Sequence, residues 1–260
     1  MGTAIVPAQV WGVRARDWAE VQEGTFTPLF ERILDITAAG ARTAVLDIGC
    51  GSGLFCELAA RRGAQVSELD ASELLLDIAR ERVPRGDFRT GEMEELPYAE
   101  HSFDLVTGFN SFQFAADTVN SLREARRVSR QGGTLVIGVF GRPQDCDARV
   151  YFAALGSLLP PPPPGSPGPF ALSLDGALEA LVKNAGLHSG NVEEIDIPWE
   201  YPDDRTLLRG LLASGPAIRA IQLVGEDAAS ETLLQALAPF KAASGGYKLR
   251  NKARYMIVKI

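Results

Sequence analysis

The run Val45–Gly53 constrains the fold more than any other feature of the chain, because an apolar segment ends in an acid and then in alternating glycines. Its apolar half predicts a parallel strand that is covered on both faces. A helical pattern follows directly at 54–62. Glycine lets the backbone turn sharply and removes side chains that would keep a ligand away from the free N–H groups of the helix start. A strand, a glycine turn and a helix in this order predict a nucleotide-type site.

A carboxylate follows the second predicted strand. The strand pattern of 64–69 ends in Asp70. A carboxylate at the tip of the second strand can accept hydrogen bonds from both hydroxyls of a ribose. The ordinary alternative is that Asp70 caps the helix that begins at 71–73. The glycine turn one unit upstream favours the ribose role.

Strands and helices alternate along the first half of the chain, which favours right-handed crossovers and a parallel sheet. Strands are predicted at 43–48, 64–69, 86–90, 103–109 and 133–140, and helices at 27–36, 53–62, 72–83, 115–129, 147–158 and 174–185. Two later segments, 192–197 and 253–260, also have strand patterns. The helical patterns between them, at 204–212, 217–224 and 228–237, are long for a simple connection, and such connections are usually functional.

Four ordered segments resemble the class I S-adenosylmethionine (SAM)-dependent methyltransferases. They are Val45–Gly53, 68–72, 91–97 and 102–106. The resemblance implies an α/β fold with a Rossmann-like, doubly wound, seven-stranded sheet, mostly parallel with an antiparallel final strand, plus helical lid elements. It also implies that 192–197 and 253–260 form the antiparallel pair that closes the sheet.

The same resemblance implies SAM as cofactor, S-adenosylhomocysteine as product and a set of binding residues. These are Trp18, Asp47, Gly49, Gly51, Gly53, Asp70, Ala71, Glu92, Met93 and Asn110. Asp47 and the glycines would line the methionine and ribose part, and Asp70 would bind the ribose. Glu92 would accept from the adenine amine while Met93 packs against the ring. The family usually has Asp where Glu92 stands, so the reach of that contact differs here.

The catalytic candidates are few, because the chain has two histidines. His101 is predicted in a solvated turn, whereas His188 is predicted at the start of a strand and is a candidate base. Asn110, an amide, can position a ligand but cannot act as a base. The candidates for substrate contact are Phe109, Gln113, Tyr151 and Tyr201. Alignment of an activated methyl with its acceptor can supply several kcal/mol, up to about 7–11, so a dedicated base is not required.

The organisation predicted along the chain has four parts. Residues 1–42 form an N-terminal helical cap, 43–201 the SAM-binding core, 202–246 a helical insertion that serves as a substrate lid, and 247–260 the final antiparallel strand. Trp18 either covers the cofactor or fills the core. The proline-rich run 160–169 predicts a stiff spacer over the active face, with a docking site for a proline-binding partner as the alternative.

Composition narrows the function class. The formal net charge of −7 does not favour attraction to nucleic-acid phosphates, and the three cysteines lack metal-ligand spacing, so we expect no metal. The lack of a long apolar run predicts no membrane partner, and the cysteines are typical of reduced thiols in a cytoplasmic protein. We further expect a monomer or homodimer that acts on a small-molecule substrate. Alternatives are a nucleic-acid methyltransferase, a non-catalytic SAM-binding scaffold and a SAM-assisted rearrangement or cyclisation enzyme. A nicotinamide-dependent oxidoreductase is a further alternative, but the glycines at 49, 51 and 53 do not have the spacing expected for that class.

Overall fold

The computed structural model describes residues 10–161 and 168–260. Within them, seven strands form one sheet and two form a separate ribbon. The sheet contains β1 (Ala44–Ile48), β2 (Gln65–Asp70), β3 (Asp87–Thr90), β4 (Phe103–Phe109), β5 (Ser129–Phe140), β6 (Val192–Asp196) and β9 (Lys252–Lys259). The ribbon pairs β7 (Trp199–Tyr201) with β8 (Tyr247–Leu249).

The order of strands in the sheet is β3-β2-β1-β4-β5-β9-β6. The first five are parallel, and β9 runs antiparallel between β5 and β6. This confirms the predicted Rossmann-like sheet with an antiparallel final strand. The central strand β1 is buried, as its continuous apolar pattern predicted.

The helices flank the sheet on both faces. They are α1 (Thr27–Ile36), α2 (Leu54–Arg61), α3 (Glu73–Arg82), α4 (Thr118–Val128), α5 (Ala148–Leu158), α6 (Ala177–Asn184), α7 (Asp204–Leu211), α8 (Gly215–Val224) and α9 (Glu226–Leu237). Before α1, the chain is α-helical at Ala15–Asp17, π-helical at Trp18–Gln22 and 3₁₀-helical at Glu23–Phe26. A π-helical turn is rare and is often found at functional sites.

Two apolar clusters hold the layers together. On one face, α4 and α6 bury Leu122 and Val182 against Ile48 of β1. On the other, a larger cluster runs from α1 and α2 through α5 to the insertion and includes Ile33 and Leu233. The predicted insertion 202–246 folds as α7, α8 and α9, and is therefore packed into the same core as the sheet.

The structure differs from the sequence prediction in two strands. The strand β5 begins at Ser129 rather than at 133, because a register shift lets Phe103 of β4 pair with Ser129. Residues 247–249 do not extend the final strand; they pair with β7 and leave β9 to begin at Lys252. Of the proline-rich run, 162–167 lie outside the described residues, as do residues 1–9 of the predicted cap.

No single helix in the described ranges is long and apolar enough to cross a membrane. The helices α7 and α8 pass that test only when taken together, and they meet at an angle of 100°.

Candidate active site

A cavity of about 730 Å³ lies where β1, β2 and β4 reach their carboxyl ends. That edge is where ligands bind in open α/β sheets, and the volume is in the usual range for small-molecule sites. We call one side of the cavity the acidic wall; it comprises Glu23, Asp47, Gly49–Gly51, Asp70–Ala71 and Gly91–Glu94. We call the other side the aromatic wall; it comprises Phe26, Phe30, Phe109, Phe140, Tyr151, Phe152 and Trp199.

The glycine turn at the acidic wall has a backbone that only glycine adopts without strain. Gly49, Gly51 and Gly53 have φ of +73°, +60° and +81°. A Cβ on Gly49 would lie 2.4 Å from the Cβ of Ser111, and a Cβ on Gly53 would lie 2.7 Å from that of Ala79. The turn therefore brings its backbone to the cavity with no side chain in the way.

Asp70 holds the glycine turn and the start of α3 at the same time. Its Oδ2 accepts from the backbone N–H of Gly51 at 2.9 Å, and its Oδ1 accepts from that of Ser72 at 2.8 Å. Burial raises the pKa of Asp70 to about 6, although these two backbone hydrogen bonds act to lower it. The capping alternative is thus partly realised, since Asp70 supports the N-cap residue Ser72, and the same carboxylate lines the cavity.

Asp47 lies at the end of β1, and its Oδ1 accepts from the hydroxyl of Thr107 at 2.6 Å. Burial raises the pKa of Asp47 to about 7, and the nearby carboxylates of Glu23 and Asp70 raise it further. The acidic wall therefore concentrates negative charge that a positively charged ligand would stabilise.

Glu23 is a site residue that sequence reasoning missed. Its carboxylate accepts from the backbone N–H of Ser52 at 3.1 Å, from the Ser52 hydroxyl at 2.7 Å and from Arg82 at 2.5 Å. Burial raises the pKa of Glu23, while Arg82 acts in the opposite direction. Arg82 also donates to the carbonyl of Ala19 at 3.0 Å. The N-terminal segment is thereby fixed against the glycine turn. The contacting residues are far apart in the sequence, so no local pattern indicates them.

Trp18 lies over the glycine turn. Its Nε1 is 3.5 Å from where a Cβ on Gly51 would be, and its ring meets that of Trp11 edge-on with centroids 5.0 Å apart. Trp11 in turn contacts Phe114, with centroids 6.1 Å apart. All three rings line the cavity, so Trp11 is a second lining residue that the sequence did not single out.

The loop after β4 joins the two walls. Asn110 has φ of +49°, and its Oδ1 accepts from the backbone N–H of Phe140 at 3.0 Å, which ties the ends of β4 and β5 together. Gln113 is 7% exposed, and its Oε1 has no hydrogen-bond partner among the described residues. Phe109 lies 4.9 Å from Phe30, centroid to centroid, and so serves both the core and the cavity.

Tyr151 is the one titratable side chain of the aromatic wall as defined above. Its hydroxyl donates to the carbonyl of Leu211 at 2.8 Å and is hydrogen-bonded to Ser214 Oγ at 2.5 Å. Burial raises the pKa of Tyr151 above its ordinary value. The hydroxyl is therefore a structural link between α5 and the insertion, with its proton already engaged.

Comparison with known proteins identifies the family. The model of the methyltransferase domain family matches residues 46–137. Malonyl-[acyl-carrier protein] O-methyltransferase of Erwinia pyrifoliae is 31% identical over 185 residues, which are 71% of this chain and 66% of that protein. The chain belongs to the class I SAM-dependent methyltransferases. Its cofactor is SAM.

Two further comparisons concern a second curated relative and a solved structure. Ubiquinone biosynthesis O-methyltransferase of Sinorhizobium medicae is 37% identical over 114 residues, 42% of this chain and 46% of that protein. The chain thus spans about half to two thirds of these two curated relatives. The crystal structure of YcgJ from Bacillus subtilis superposes with a TM-score of 0.60 at 21% identity, covering 90% of this chain and 98% of that one. This last likeness concerns the fold.

The structure brings most of the predicted site residues of this methyltransferase to one cavity, with three exceptions. Gly53 begins α2 behind the turn and does not line the cavity. Tyr201 is buried, with its hydroxyl donating to Gln22 Oε1 at 2.7 Å, and it too is absent from the lining, whereas Trp199 of the same ribbon is present.

His188 is the third exception. It is exposed on the loop before β6, not on a strand as predicted. Because β6 and β5 both run antiparallel to β9, they are parallel to each other, and the chain that leads into β6 approaches from the amino side of the sheet. The cavity lies at the carboxyl edge, so the fold holds His188 away from it.

Metal ligands are not assembled in the described ranges, since no group of three or more His, Cys, Asp or Glu side chains there could hold an ion. Further lining residues come from α5, the segment after it, the end of α7 and the start of α8. They include Leu155, Gly156, Leu159, Pro160, Pro161, Pro169, Leu211, Ser214, Pro216 and Arg219.

Proposed function

We propose that this protein transfers the methyl group of SAM to an oxygen, nitrogen or carbon atom of a small, partly apolar molecule. The observation that carries the proposal is that one cavity has an acidic, glycine-lined wall and an aromatic wall. A polar, positively charged cofactor suits the first wall, and an apolar acceptor suits the second.

The donor set of the acidic wall fits SAM. In this proposal Asp70 holds the ribose hydroxyls, while Glu92 and Met93 hold the adenine. Asp47 and the glycine turn hold the methionine part, beneath Trp18. The open backbone of the turn and the two buried carboxylates, with their raised pKa values, support this arrangement because a cation beside them lowers their cost of ionisation.

Bound SAM supplies a methyl group that the adjacent positive sulfur activates for transfer. The aromatic wall then has two tasks, to orient the acceptor and to exclude water. Phe140, which meets Phe26, Phe152 and Trp199 at centroid distances of 5.5–6.0 Å, makes that wall continuous. Alignment of this kind can supply up to about 7–11 kcal/mol.

The chain's contribution to proton removal is small in this proposal. The Tyr151 hydroxyl is engaged with Leu211 and Ser214 and has a raised pKa, and Asn110 is an amide. A positioned base adds about a hundredfold to ten-thousandfold to a rate. We therefore assign most of the catalysis to alignment and desolvation, with Asn110 and Gln113 positioning the reactants and the 202–246 insertion covering the acceptor.

Relatives support an apolar acceptor. One of the proteins compared above is named for ubiquinone biosynthesis, and the aromatic wall of this chain offers a surface of the same apolar character. The test is to incubate the protein with methyl-labelled SAM and a panel of aromatic phenols, amines and carbon acids, and to measure label in the acceptor together with S-adenosylhomocysteine. We expect both to increase in equal amounts. Conversion of an acceptor without S-adenosylhomocysteine would contradict methyl transfer.

A further inference from the structure

The charged side chains that line the cavity are nearly all acidic. Five carboxylates line the cofactor side, namely Glu23, Asp47, Asp70, Glu92 and Glu94. Among the described residues a single cationic side chain, Arg219, lines the cavity. The two segments outside the described residues, 1–9 and 162–167, contain no Lys, Arg or His. Arg219 is therefore the one basic side chain that the described residues bring to the cavity.

Arg219 lies on α8, one turn after Pro216, which also lines the cavity. It is exposed and makes no hydrogen bond or ion pair within the part of the chain that the structure describes. Its neighbours in this region are paired: Arg14 donates to Glu226 at 2.6 Å, and Arg209 donates to Asp17 at 2.5 Å. An arginine left without a carboxylate in a chain of net charge −7 is available to a ligand.

The surroundings of Arg219 define what that ligand would be. The helix α8 packs against α5, whose Tyr151, Phe152 and Leu155 belong to the apolar side of the cavity. A guanidinium binds carboxylate, sulfonate or phosphate oxygens through paired hydrogen bonds. An acceptor whose negative charge faced the acidic wall would be repelled, whereas one whose charge faced Arg219 would point its other end to the cofactor.

We propose that Arg219 is a specificity-determining residue that binds an anionic group of the acceptor. The acceptor is then a molecule with a flat, apolar body and one anionic group, and the nucleophilic atom lies at the end remote from that group. This inference rests on the proposed function, because it takes the molecule bound at Arg219 to be the methyl acceptor. The recognition itself is a binding property, and it is measured without turnover.

The test uses two fluorescent probes with the same aromatic body, on protein saturated with S-adenosylhomocysteine. One is the anionic 1-anilinonaphthalene-8-sulfonate, and the other is its neutral counterpart N-phenyl-1-naphthylamine. Dissociation constants are measured for the wild type and for Arg219→Gln. The matched control is Arg205→Gln, an exposed arginine on α7 that does not line the cavity.

The proposal predicts that Arg219→Gln weakens binding of the anionic probe roughly three- to ten-fold, the range for an exposed to partly desolvated arginine pair. Binding of the neutral probe changes less than two-fold, and Arg205→Gln binds both probes as the wild type does. An equal effect of Arg219→Gln on both probes, or no effect on the anionic one, would overturn the proposal.

A second variant checks where the probes bind. Gly156 of α5 lines the cavity, and a Cβ there meets no atom of the described residues within 4 Å, so Gly156→Phe is expected to fold and to fill the acceptor end. It should weaken both probes at least ten-fold and leave affinity for S-adenosylhomocysteine unchanged. Unchanged binding of both probes would contradict an anionic aromatic site beside Arg219.

Failure of this inference and failure of the proposed function give different results. If the chain binds no S-adenosylhomocysteine, the proposed function fails. If it binds S-adenosylhomocysteine and transfers methyl groups equally well to charged and neutral acceptors, the proposed function stands and the role of Arg219 fails.

Discussion

Arg82 donates to the buried carboxylate of Glu23 at 2.5 Å and so links α3 to the N-terminal segment that contacts the glycine turn. Glu23 has 6% and Arg82 17% of its side chain exposed, so neither charge is well solvated. Breaking a buried pair by removing one partner is costly, since the other charge is left uncompensated.

The first prediction therefore concerns stability. Arg82→Ala should lower the free energy of unfolding by about 3 kcal/mol, measured by urea denaturation. The control on the same helix is Arg80→Ala, because Arg80 pairs only with the exposed Glu73 and Asp77, and such pairs contribute about 0–1 kcal/mol. Equal losses in the two variants would contradict the structural role of the Glu23–Arg82 pair.

The second prediction concerns the pH dependence of cofactor binding. Burial raises the pKa of Asp47 to about 7 and that of Asp70 to about 6. A positively charged ligand favours the ionised carboxylates and lowers both pKa values, so binding releases protons. Affinity for SAM should rise with pH from about 5.5 to 7.5 and then level. Calorimetry in buffers of different ionisation enthalpy measures the protons released, and Asp47→Asn should release fewer near pH 7. Proton uptake on binding would contradict the assignment.

The third prediction concerns Glu68, a buried carboxyl behind the glycine turn. It is 0% exposed, and burial raises its pKa to about 8. The folded state therefore holds a proton that the unfolded state loses near pH 4.5, the ordinary value. The contribution of Glu68 to stability is fully present below that value, falls as pH rises, and is lost above about 8. In Glu68→Gln, the decrease in the free energy of unfolding between pH 5 and pH 8.5 should be smaller by a few kcal/mol, as measured by denaturation at both pH values. The exposed Glu100→Gln is the control, and parallel stability curves for Glu68→Gln and wild type would refute the prediction.

Much of the fold could be predicted because its signals are local. The apolar run before Gly49 predicted β1, and the glycines predicted a sharp turn with an open backbone, which the structure shows as three positive φ angles. The antiparallel β9 was predicted by resemblance, since nothing in residues 253–260 alone states the direction of pairing.

The parts of the site that the sequence did not indicate depend on contacts between distant segments. Glu23 meets Ser52 and Arg82 only after the N-terminal segment has folded back onto the turn. Tyr201 is a predicted substrate contact, but in the structure its hydroxyl donates to Gln22 Oε1 and it does not line the cavity. The periodicity of the sequence does not indicate hydrogen bonds between residues so far apart in the chain.

The most direct test of the whole account is calorimetric titration with SAM of the wild type, Asp70→Ala and Glu92→Ala. Asp87→Ala, which removes an exposed carboxylate from the neighbouring β3, is the control. We expect the wild type to bind SAM but not NAD, each site variant to bind SAM more weakly by about 1–3 kcal/mol, and Asp87→Ala to bind as the wild type does. Unchanged affinity in both site variants, or binding of NAD in place of SAM, would contradict the placement of the cofactor on the acidic wall.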